Sequence, residues 1–196
     1  MEQSSFSYIV IFMIIIIVVK LYVDADFFQL KCIVSDVDGN KYCVRERNKL
    51  TEAADLLASV NIKLNKIVKH MYSNYPEKKC VQRLKEGFNP KKMYETLPTS
   101  EYTAYSENKG EKLAFCLNRR KNGTRLIDEN TLTFVALHEL SHIMSSTVGH
   151  TDEFWQNFKY ILTNAIDIGI YKPVDYKKKP QPYCGMDISD NPYYDM

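Results

Sequence analysis

Residues 131–158, TLTFVALHELSHIMSSTVGHTDEFWQNF, constrain this chain more than any other stretch. Phe134, Val135, Leu137, Leu140, Ile143 and Met144 surround two histidines and leave little polar face. A helix apolar on nearly every side is a buried one. It should stop near Ser145-Ser146-Thr147, and Gly149 permits a sharp turn. Thr151 is then a good N-cap, with Asp152 and Glu153 suited to a first helical turn. A second amphipathic helix follows through Phe154, Trp155, Phe158, Ile161 and Leu162. Trp155 and Phe158 read as core residues on helical spacing.

The centre of the buried helix is His138-Glu139-Leu140-Ser141-His142. Imidazoles four apart lie about 40° apart in azimuth and roughly 6 Å apart along the axis, so both reach one metal ion. Glu139 sits about 100° round the helix, beside them and within reach of a water on that metal. Zinc catalysis needs neutral nitrogen ligands, an open position and a carboxylate that is not a ligand. His138 and His142 are therefore candidate Zn2+ ligands and Glu139 the candidate general base. His150 precedes a helix start, on a loop that can fold back to the metal as a third ligand. Tyr105, Tyr176 and Tyr183 are candidate donors to an oxyanion. Asp152 and Glu153 are the nearest acids for holding the imidazoles, although a first-turn position also explains them.

HELSH, a short loop, and Gly149-His150-x-x-Glu153-Phe154-Trp155 together resemble the WLM and SprT-like zinc metallopeptidases. Asn108-Lys109-Gly110 and the run from Lys112 to Leu117 resemble the hairpin and edge strand of those families. The resemblance covers roughly residues 100–165. It implies a zincin-like α+β domain, with a small antiparallel sheet packed on the HExxH helix. It also implies peptide hydrolysis, with a substrate peptide adding to the edge strand beside the cleft. One departure stands out. Seven residues separate His142 from His150, against five in the WLM pattern and more in SprT-like loops. The metzincin glycine is absent, its place being taken by Ser145.

The rest of the chain sets bounds. With 196 residues there is room for one domain with a proper core and some extras. A formal net charge of +2 gives no strong pull toward nucleic acid. Short basic clusters, such as Arg119-Arg120-Lys121 and Lys177-Lys178-Lys179, read as solvated surface. The five cysteines show no zinc-ribbon spacing, and their scatter suggests mostly reduced thiols. Cys32 and Cys43 face each other across a predicted hairpin, which leaves a disulfide there open.

An apolar run begins at Tyr8, and Leu21 to Val23 extend it past Lys20. We read residues 8–23 as an uncleaved membrane helix, with Tyr8, Tyr22, Phe27 and Phe28 as interfacial anchors. No basic residue precedes it and no good cleavage site follows, which argues against a signal peptide. The basic residues after it put the domain on the cytoplasmic side of a host or virion membrane. Two units are thus expected: an anchor at 1–27 and the metallopeptidase domain at 28–196.

Within that domain a hairpin is expected over 29–47 around Asp38-Gly39, and a helix over 50–72 with Thr51 as its cap. A short helix over 77–86, another helical piece after Asn89-Pro90, and a second hairpin over 101–118 follow. Asp128 or Asn130 caps the histidine helix, and Gly169 closes the next one. His70 reads as surface. The Pro- and Tyr-rich tail is expected to pack along the domain with little regular structure.

The function expected is that of a membrane-anchored zinc metallopeptidase acting on a protein or peptide. The alternative is a catalytically silent zincin-fold structural or interaction protein of a virus particle or membrane; anchored chains with such tails resemble proteins of large DNA viruses. Removal of proteins from DNA, which the resemblance implies, is disfavoured by the lack of a basic tail and by the expected anchor. The sequence does not bear on oligomeric state.

Overall fold

A computed structural model describes residues 2–23, 30–121 and 123–195. The chain runs α1 (Glu2–Val23), β1 (Leu30–Val34), β2 (Lys41–Arg45), α2 (Leu50–Asn74), α3 (Lys79–Gly87), β3 (Met93–Glu95), β4 (Ala104–Glu107) and β5 (Lys112–Phe115). It continues through α4 (Glu129–Met144), α5 (Asp152–Asp167), β6 (Gln181–Tyr183) and β7 (Met186–Ile188) to a 3-10 turn at Pro192–Tyr194. The class is α+β, as expected.

The expected membrane anchor does not stand. No helix among the described residues is long and apolar enough to cross a membrane. The uninterrupted apolar part of α1 is the twelve residues from Tyr8 to Val19, closed by Lys20. Twelve residues rise about 18 Å, against a hydrocarbon core of about 30 Å. The single-pass membrane localisation, and the cytoplasm-facing orientation argued from it, fall with the anchor. Phe27, Phe28 and the expected boundary between 27 and 28 lie outside the described residues.

The sheet is also not the small antiparallel one expected. Its order is β1-β2-β3-β5-β4. Two antiparallel hairpins, β1–β2 and β4–β5, flank β3, which pairs parallel with both β2 and β5. β3 occupies the segment expected to be helical after Asn89-Pro90. Met93 and Glu95 are buried and Tyr94 between them is half-buried, a period-two pattern too short to outweigh a helical reading. A parallel strand needs a crossover, and α2 and α3 supply it.

α2 presents Ala54, Leu57, Val60, Leu64, Ile67 and Met71 on one buried face. It begins at Leu50, so Thr51 falls inside its first turn and not at its cap. α4 is buried along nearly its whole length and packs against α2, α3 and α5. Asp128 is its cap, accepting from the Thr131 backbone N–H at 2.9 Å. Asn130 instead bonds in both directions with Lys172, at 2.9 Å each way, and pins the segment leaving α5. Gly169, at φ +72°, follows α5, and the Ile170 N–H reaches back to the Ala165 carbonyl, a Schellman closure.

At the end of β2 Arg45 donates to the carbonyls of Thr96, Leu97 and Lys121. Arg47 and the buried Glu95 form an ion pair beside it. The tail is more regular than expected. Its β6–β7 hairpin turns at Cys184 and Gly185, both at positive φ. Tyr171, Tyr176 and Tyr183 are buried. Two disulfides overturn the expectation of reduced thiols. Cys32 pairs directly across β1–β2 with Cys43, and Cys116 pairs with Cys184, 68 residues away. Cys80 is free.

Candidate metal centre

α4 and the loop after it bring His138, His142 and His150 together. The Nε2 atoms of His142 and His150 lie 3.2 and 3.0 Å from that of His138. One ligand atom from each residue lies within 4.8 Å of those of the other two. Tetrahedral zinc at 2.0–2.1 Å from each nitrogen would separate neighbouring ligands by about 3.3 Å, so the donor set fits that ion. His70 takes no part. It sits on α2 and its carbonyl accepts from Asn74.

α5 cushions the three rings. Phe154 stacks on His142 with ring centroids 4.3 Å apart and meets His138 and His150 edge-on at 4.8 and 4.7 Å. Phe158 is buried against His138, whereas Trp155, expected in the core, is 41% exposed beside His150. Desolvation, then repulsion from His142 and His150, lowers the His138 pKa to about 3, and desolvation, then repulsion from His150 and Lys109, lowers that of His142 to about 4. Both are neutral at pH 7, the form in which imidazole binds a metal.

Glu139 is 6% exposed and lines the same cleft. Burial raises its pKa to about 8, with no hydrogen-bonding or charged partner offsetting that rise among the described residues. Burying an ionisable carboxyl with nothing among the described residues to offset its desolvation is costly, and such costs mark functional sites.

The cleft has a volume of about 1220 Å³. β4, one of the two edge strands of the sheet, lines it, and so do residues of the segment from Met186 to Pro192. Tyr105 and Tyr183 line it, but Tyr176 does not. The Tyr183 hydroxyl donates to the Thr103 carbonyl at 3.0 Å, and that carbonyl also accepts from the Cys116 N–H. The Cys116–Cys184 bridge fastens the same corner, so the tail hairpin braces the start of β4.

Two residues matter more than the sequence reading allowed. Glu153 does more than complement a helix dipole. It accepts from the backbone N–H groups of Ser146 and Thr147 and from both their hydroxyls. Those bonds, the Ser146 N–H first, lower its pKa to about 2. Arg83 joins it at 2.8 Å and also donates to the Met144 carbonyl. Lys109, noted only as part of a turn, reaches the same loop with its ammonium. The one sequence signal for Lys109 was its place before Gly110 in a polar turn.

Comparison with known proteins gives relatives without a stated activity. The chain is 29% identical to uncharacterized protein R325 of Acanthamoeba polyphaga mimivirus over 161 residues, 80% of this chain and 81% of that one. It is 38% identical over 85 residues to uncharacterized protein 042R of Invertebrate iridescent virus 3, covering 42% of this chain and 50% of that protein. Uncharacterized protein 136R of Invertebrate iridescent virus 6 is 35% identical over 75 residues, 38% of this chain and 41% of that one. No protein-family model and no solved structure matches.

Proposed function

We propose that this chain is a zinc metallopeptidase of the zincin type, akin to the WLM and SprT-like enzymes. The observation that carries the reading is the convergence of three imidazoles beside the buried carboxyl of Glu139, in a cleft that the edge strand β4 also lines. His138, His142 and His150 would hold the zinc. The ion, when bound, supplies a Lewis acid for the scissile carbonyl and lowers the pKa of water from about 16 toward 7.

The remaining work falls to the protein. Among the described residues β4 has β5 on one side and no strand on the other, so its outer edge offers backbone groups to an extended peptide. That pairing sets the peptide's height above α4. Glu139 accepts the proton of the attacking water at its carboxylate and returns it to the departing nitrogen. Phe154 and Phe158 keep water from the inner side of the imidazoles and hold the ring planes.

The test is metal analysis of the purified full chain together with cleavage of a random peptide library. The reading expects about one zinc per chain, cleavage abolished by chelation, and recovery on adding zinc back. A chain that carries no zinc and takes up none on dialysis overturns it.

A further inference from the structure

We propose that Lys109 and Glu153 are positioning residues for His150, tying the third ligand to the tip of the β4–β5 hairpin. The inference rests on the metallopeptidase reading and says what sets the strength of its metal site.

Residues 145–150 have no regular structure, and their main apolar side chain, Val148, is 87% exposed. Gly149 turns the loop at φ +85° and has no neighbour within 4 Å of where a Cβ would stand. The His150 ring rests on Phe154 and Trp155, but no apolar side chain of residues 145–149 packs to fix the backbone that leads to it. Polar contacts do, from two sides. Lys109 Nζ donates to the carbonyls of Ser145 at 2.9 Å, Thr147 at 2.8 Å and His142 at 3.4 Å. An ammonium has three N–H donors, so three carbonyls match it in number. Glu153 takes the loop's N–H groups, from Ser146 at 3.0 Å and Thr147 at 3.2 Å. The cation holds the carbonyls and the anion holds the amides, which fixes the backbone from His142 to Thr147, three residues short of His150.

Lys109 is itself held in place. Asn108, Lys109 and Gly110 all have left-handed backbones, at φ 46°, 56° and 106°. A Cβ on Gly110 would lie 2.6 Å from both the Gly87 carbonyl oxygen and Ile143 Cδ1. The hairpin tip thus rests directly on the end of α3 and on α4. β4, the strand that would carry substrate, ends at Glu107, two residues before Lys109. The substrate edge and the third ligand share one anchor.

A lysine that merely caps α4 would change stability alone. A positioning lysine also changes the metal site, and metal affinity and the visible spectrum of the cobalt form read that directly, without turnover. In the full chain, Lys109→Met should weaken zinc binding, measured by chelator competition, by about 10–100-fold, the usual effect of losing a partner behind a ligand. Its cobalt spectrum should move toward that of His150→Ala. Glu153→Gln should shift both readouts in the same direction, and it replaces Lys109→Met if that variant does not fold. A folded variant with wild-type zinc affinity and an unchanged cobalt spectrum overturns this proposal alone. A wild type that binds neither metal overturns the metallopeptidase reading and this one with it.

Discussion

Replacing Glu139 by Gln should make the metal-free fold more stable, and the gain should depend on pH in a way that burial dictates. The carboxyl has a reference pKa of 4.5, and burial raises it to about 8 in the folded chain. Below pH 4.5 it is protonated folded and unfolded alike and favours neither state. Between 4.5 and 8 it is ionised only when unfolded, so unfolding releases a proton and stability falls as pH rises. The slope is about 1.4 kcal/mol per pH unit, and across the window the ceiling is about 5 kcal/mol. Local relaxation and water entry reduce what is measured. Glutamine has no proton to lose, so Glu139→Gln escapes the loss. His138 and His142 work the other way. Their pKa values are depressed, so acidification from about 6.5 toward 4 destabilises the fold. That loss is common to both proteins and cancels in the difference. Urea unfolding of chelator-stripped protein at pH 5, 6, 7, 8 and 9 measures the difference directly. It should be small at pH 5, grow through pH 8 and then level. Zinc should shrink it, since a nearby dication favours the ionised carboxylate. A difference flat from pH 5 to 8 would refute the argument, because Glu139 would then ionise as easily folded as unfolded.

Two further outcomes follow from packing and covalent closure. Cys184→Ser opens a bridge spanning 68 residues and should cost about 4 kcal/mol on chain-entropy grounds, seen as a lower urea midpoint under non-reducing conditions. An unchanged midpoint would mean that the bridge does not close in solution. Gly87→Ala puts a methyl group against the Lys109 carbonyl oxygen and 2.7 Å from Ile143 Cγ2, and should cost about 1–3 kcal/mol by thermal or urea melting. A neutral result would show that α3 and the hairpin tip are less tightly seated.

The parts of the site that follow from local chemistry were legible in the sequence. HELSH sat on an apolar helix, Thr151 announced a cap, and His150 stood just before it. The structure brings all three histidines together and uses Thr151 as the cap, its side chain accepting from the Phe154 N–H. The Asp38-Gly39 hairpin and the Gly169 closure were equally local. What escaped depends on distant partners. β3 is three residues whose strand character comes from pairing with β2 and β5. The Cys116–Cys184 pairing joins segments that no spacing rule connects. Lys109 and Glu153 are ordinary surface types in sequence, and only the loop between His142 and His150 gives them work. The membrane expectation fails on length, because the apolar run ends at Val19 and Lys20 separates it from Leu21 to Val23.

The central claim is that Glu139 moves a proton during peptide hydrolysis, and one comparison tests it most directly. Zinc-loaded wild type and Glu139→Gln are incubated with the same unstructured peptides, and zinc content is measured on the same samples. Glutamine keeps the size and hydrogen-bonding reach of Glu139 but cannot accept a proton at neutral pH. The account predicts equal zinc in both and cleavage slower by about 10²–10⁴-fold in the variant. Equal cleavage by both would contradict the assigned role, and zinc in both with cleavage by neither would contradict the peptidase.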